Sequence, residues 1–107
     1  MAALKLNPNP TFNAKVGIPV AGEEQPAVIV CTFKHMTREA YAAFAEGLRS
    51  SSASDVDTLM QVLAGWDGPD EPFSREAVAK LVSGYHGAAF AISQAFADEL
   101  TKARAKN

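Results

Sequence analysis

Three residues of the 107-residue chain carry side chains suited to nucleophilic or metal chemistry: Cys31, His35 and His86. A cysteine nucleophile needs a histidine in contact and a further group to orient it. Cys31 and His35 lie four residues apart at the end of a segment rich in β-branched residues, AVIVCTFK. On a strand that spacing puts both on one face but ~13 Å apart, too far to touch. Cys31 therefore reads as a small core residue. As the sole cysteine it has no internal disulfide partner, which fits a reducing compartment. Zinc needs three or four ligands, and Cys31 with His35 supplies two. The acidic turn Asp67-Gly68-Pro69-Asp70-Glu71 has the wrong register for a calcium loop and reads as a solvated turn. There is no dinucleotide fingerprint, phosphate-binding loop or nucleophile elbow. The expectation is a protein with no catalytic residue, no cofactor and no metal.

The elements that position these residues follow from patterning. Residues 1–10 read as a tail, since Asn7-Pro8-Asn9-Pro10 removes backbone donors and favours extended forms. From Thr11 to Ile18, Phe12, Ala14, Val16 and Ile18 alternate with Asn13, Lys15 and Gly17, as on a half-buried strand. Pro19 to Pro26 reads as a loop, and Ala27 to Lys34 as a second strand. Together residues 11–35 make an antiparallel β-hairpin, which must pack on something to be stable.

Residues 37–105 read as helical. Thr37 is an N-cap, and Tyr41, Phe44, Ala45 and Leu48 share one helical face. The serine run Ser50 to Ser54 ends that helix, and Ser54 with Asp57 resembles a capping box. Val56, Leu59, Met60 and Leu63 form the next apolar face, closed by Gly65. Trp66 to Phe73 is rich in turn residues and reads as irregular. Ser74 caps a third helix, with Phe73 positioned to staple onto Val78, and Gly84 stops it. The last helix is expected from Tyr85–Gly87 to about Ala103, with Tyr85, Ala89, Ile92, Phe96 and Leu100 inward. Lys102, Arg104 and Lys106 then fall where the helix dipole favours cations. The fold class is α+β: an N-terminal antiparallel β-hairpin packed on about four α-helices, in one domain spanning residues 1–107.

Composition narrows the function. The chain is 48% apolar with a formal net charge of -2, so neither disorder nor a phosphate-binding basic surface is expected. No apolar run reaches the ~18 residues of a membrane span, and MAALKLNPNP lacks the plan of a signal peptide. Twenty of the apolar residues are alanine, which leaves few large side chains for a core and allows helices to approach closely. Six acids lie between Asp55 and Glu76 against one base, Arg75, which reads as matching of helix dipoles plus a solvated loop. Trp66 stands beside a turn, and Phe90 faces away from Ile92 and Phe96. Trp66, Phe73 and Phe90 are therefore candidates for a partner or self-interface, and a homo-oligomer is expected.

The stretch from Asp55 to Leu100 resembles the tail assembly chaperones of long-tailed phages, the G-like proteins of lambda-type siphophages and prophages. The resemblance rests on Leu59-Met60 with Val62, then Gly65-Trp66-Asp67-Gly68, then Glu71-Pro72-Phe73-Ser74 and Leu81. Tyr85-His86-Gly87-Ala88-Ala89 and the series Ile92, Phe96, Leu100 complete it. Histidine stands at 86 where such proteins often have proline. The resemblance implies a non-enzymatic chaperone in the host cytoplasm that binds the tape measure protein and recruits the tail tube protein around it. It also implies that a frameshift extends a minor form of the protein. A generic oligomeric adaptor or a small phage structural subunit is the alternative, with no nucleic-acid or membrane partner in either reading.

Overall fold

The computed structural model describes residues 4, 6–50 and 54–101, with the side chains of 48–50 outside the description. Strand β1 (Thr11–Ile18) and strand β2 (Ala27–Lys34) pair antiparallel from Thr11↔Lys34 to Ile18↔Ala27. The connection turns at Gly22, whose φ of 85° is the left-handed value that the third position of a type II turn demands; the Glu23 N–H closes the turn on the Val20 carbonyl at 3.0 Å. The His35 N–H donates to the Pro10 carbonyl at 2.9 Å, which carries the ladder one step past the strand.

Helix α1 (Arg38–Ser50) starts as its sequence dictates, with the Ala40 N–H donating to Thr37 Oγ1 at 3.1 Å. Helix α2 (Asp55–Val62) is capped by Ser54, whose hydroxyl accepts from the Asp57 N–H at 3.1 Å. At its other end Lys34 Nζ donates to the Met60 carbonyl at 3.3 Å, a cation placed where the dipole is negative. Helix α3 (Arg75–Gly84) is capped by Ser74, which accepts from the Ala77 N–H at 3.0 Å. Helix α4 (Ala88–Thr101) lies against β1.

Two expectations need correction. The helical reading of 37–105 is interrupted: Leu63 does not continue α2 but opens a third strand, β3 (Leu63–Asp67), antiparallel to β2 in a sheet of order β1-β2-β3. The pairs Phe33↔Leu63 and Thr32↔Gly65 leave Ala64 as an extra residue on β3, a β-bulge. The bulge turns Leu63 and Trp66, three residues apart, to one side, so the strand carries a helical spacing in place of alternation. Tyr85 is also not the first residue of α4. It caps the C-terminus of α3, its N–H donating to the Leu81 carbonyl at 2.9 Å, and α4 begins three residues later. Residues 102–107, including the basic Lys102, Arg104 and Lys106, lie outside the described residues, as do Ser51 to Ala53.

The core lies between one face of the sheet and the helices. Ala14, Val16, Ile18, Ile29, Cys31 and Phe33 project from the sheet onto Leu59, Val62, Val78, Ile92 and Phe96, all buried. Burying each of the larger side chains contributes roughly 1.5–3 kcal/mol. The other face of the sheet carries Asn13, Lys15, Thr32 and Lys34, with Thr32 Oγ1 donating to Asn13 Oδ1 at 2.7 Å across the strands. This inside-outside alternation is what an antiparallel sheet covered on one face requires.

Candidate functional site

The residues with chemical potential are kept apart by the fold. Cys31 is wholly buried in the sheet, while His35 is exposed beyond the end of β2. Burial without a compensating cation pushes the Cys31 thiol up to about 12, so it stays protonated at neutral pH and is a poor nucleophile. His86 lies in the α3–α4 connection, remote in sequence from both. Among the described residues, no group of three or more His, Cys, Asp or Glu side chains is placed to hold a metal ion. No helix among them is long and apolar enough to cross a membrane.

The large aromatics divide into two settings. Trp66 and Phe73 meet edge to face with ring centroids 5.4 Å apart, both half-buried against the core. Trp66 Nε1 donates to the Glu71 carbonyl at 2.9 Å, and Glu71 in turn pairs with Lys80 at 3.0 Å. The acidic turn expected to be solvated is thus fastened at its base to the indole and to α3. Gly68 completes this corner. Its φ is 122°, and a Cβ there would stand 3.2 Å from the Ile29 Cα, so only glycine allows the approach. The run Gly65-Trp66-Asp67-Gly68 is therefore a bulged strand end that holds an indole against the core.

Behind Trp66 opens an apolar groove of about 290 Å³, walled by Ile18, Val20, Ala27, Ile29, Trp66, Leu81 and Tyr85. Asp70, Glu71 and Lys80 are the charged residues of its lining. The groove is not legible in the sequence, because its walls come from β1, β2, β3 and α3, which are distant along the chain. Tyr85, 41% exposed, was the one available signal: a large aromatic beside a helix-stopping glycine.

Phe90 has the opposite setting. It is 74% exposed on the outer side of α4, heading a stripe with Gln94, Asp98 and Thr101. Gln94 Nε2 donates to Asp98 Oδ1 at 3.1 Å along that stripe. The inner side of the same helix carries Ala88, Ile92 and Phe96, all buried. The three interface candidates are thus not brought together: Trp66 and Phe73 form one corner, and Phe90 stands alone on α4. What the arrangement offers is contact surface.

The acidic middle of the chain is partly spent on internal pairing. Arg75 Nη2 donates to Asp57 Oδ1, tying the first turn of α3 to that of α2. The Arg75 guanidinium holds the Asp57 carboxyl below its ordinary value of 3.8, first by that hydrogen bond and then by its charge.

Comparison with known proteins agrees with a contact role. No curated protein and no solved structure gives a significant match. The family model described as phage tail assembly chaperone matches residues 1–107, and the chain belongs to that family.

Proposed function

We propose that this chaperone binds the tape measure protein of its phage and promotes assembly of tail tube subunits around it, in the host cytoplasm and without catalysis. Family membership gives the role in tail assembly. The observation that supports the finer reading is Phe90, a large aromatic exposed on a helix whose other side already fills the core. A tape measure protein is a long helical chain with apolar seams, as the sequence resemblance implies. A helix carrying one aromatic anchor among alanines and short polar residues can lie along such a seam, the partner's apolar side chains closing over the ring. Trp66 and Phe73 contribute at one remove, by fixing the corner from which the α3–α4 region is built.

The test is coexpression with the tape measure protein of the same phage. The expected result is a soluble complex recovered through a tag on either chain, with the chaperone missing from finished tails. A tape measure protein equally soluble and unbound without this chain overturns the reading. A chain retained in finished tails is a structural subunit.

A further inference from the structure

The helices fill the core from one side of the sheet, so its other side has no layer over it among the described residues. Residues paired directly across strands share a face, and the register places Lys15, Val30 and Asp67 in one row over β1, β2 and β3. Val28 lies two residues along β2 on the same face and is 61% exposed. An aliphatic strip, Val28 and Val30, thus runs between a cation on one flank and an anion on the other. Lys15 and Asp67 stand two strand spacings apart, ~10 Å between Cα atoms. Neither has an ion-pair partner among the described residues. Lys34, the other cation of this face, has its ammonium engaged by the Met60 carbonyl at the end of α2. Beside Val28 and Thr32 stand Gly17 and Gly65, which project no side chain to hold a second surface away.

The order of the charges decides what fits there. Sheets that pack face to face keep their strands within about 30° of each other, so a copy laid on its own image has two arrangements. A dyad along β2 keeps Val30 over Val30 and exchanges the flanks, bringing Lys15 of each copy over Asp67 of the other. A dyad across the strands through the same row puts Lys15 over Lys15 and Asp67 over Asp67. Only the first is self-complementary, the condition for an isologous interface. We propose that the chain dimerises through this face, β2 packing along β2 of a second copy with Val28 and Val30 at the centre and two Lys15–Asp67 pairs at the rim. The face has about ten residues a side, below the 20–30 of a standard interface, so the dimer is weak, with a Kd on the order of 100 μM. This gives a surface to the self-association expected from the sequence. It does not rest on tape measure binding, and Phe90, on the side of α4 away from the core, stays uncovered.

Charge exchange tests it. Sedimentation velocity of the full chain from ~10 μM to ~1 mM, at low salt, is expected to show concentration-dependent dimerisation. Lys15→Glu makes both flanks acidic and Asp67→Lys makes both basic. Each variant alone then sets like charges over like, and is expected to associate about tenfold more weakly than wild type. Mixed in equal amounts, the two variants form a heterodimer at wild-type strength, because every acid at the rim again lies over a lysine. That recovery also shows that both variants are folded. A wild-type chain that stays monomeric throughout this range, single variants that associate as wild type does, or a mixture no tighter than its components overturns the proposal. Each of these outcomes leaves the chaperone reading intact, since that is read by coexpression with the tape measure protein.

Discussion

Phe96 and Phe90 stand six residues apart on one helix and do opposite things. Phe96 is the hub of an aromatic cluster, with Phe12, Phe33, Tyr41 and Phe44 at centroid distances of 5.4–6.2 Å. It joins β1, β2, α1 and α4 in one packed unit. Phe90 touches no ring among these and faces solvent. Helix α4 thus spends one aromatic on the core and leaves another exposed to solvent. The comparison also explains how a chain with twenty alanines folds. Phe96 and the four aromatics gathered around it supply bulk that the alanines do not, while the alanines let α4 lie close to its neighbours.

The sharpest way to break the comparison is at its buried end. Phe96→Ala is expected to destabilise the fold by ~3–5 kcal/mol, because the cavity opens where four other rings converge. A urea titration followed by circular dichroism measures it, and a loss below ~1 kcal/mol would show that the cluster is not the hub described here. Next comes the Trp66 corner. Gly68→Ala must adopt a φ of 122° with a Cβ against Ile29, and the expected cost is ~1–3 kcal/mol in a thermal melt. Trp66→Phe keeps the ring contact with Phe73 but loses the bond to the Glu71 carbonyl, an expected loss of about 1 kcal/mol.

The Asp57–Arg75 pair has a smaller effect with a defined sign. The Asp57 carboxyl titrates lower in the folded state than its ordinary value of 3.8, so the stabilisation it contributes is present above that value. It is lost as pH falls below 3.8 through the folded value. Asp57→Asn should therefore lower the urea midpoint slightly at pH 7 and converge with wild type in strong acid; a difference that widens in acid contradicts this assignment. The pair is solvent-exposed and the effect is screened by salt. At the far end of the scale, Phe90→Ser should change stability by no more than ~0.5 kcal/mol, since the ring packs on little.

Much of this contrast is legible in the sequence, and where it is not the reason is local. Period-2 patterning marks β1, and a run of β-branched residues just after Pro26 marks β2, both at their observed ends. Ser54, Thr37 and Ser74 announce three helix starts by side-chain chemistry that does not depend on tertiary context. Phe90 stands out because it is out of phase with Ile92 and Phe96. Strand β3 is hidden because its bulge at Ala64 converts alternation into the spacing of a helix, so that Leu63 completes an apparent α2 stripe. Tyr85 misleads in the same manner, falling four residues before Ala89 although α4 starts later. The groove behind Trp66 is not legible at all, since it exists only once β1, β2, β3 and α3 have met.

The central proposal is that this chaperone works through an uncovered face of a helix whose other face builds the fold. Its most direct test is the fraction of tape measure protein captured in coexpression by wild type and by Phe90→Ser, with both chaperones shown to be equally stable. The account predicts that wild type holds the tape measure protein in soluble complex and that Phe90→Ser loses at least tenfold of that capture, about 1.4 kcal/mol of binding. Equal capture by the two chains would contradict it.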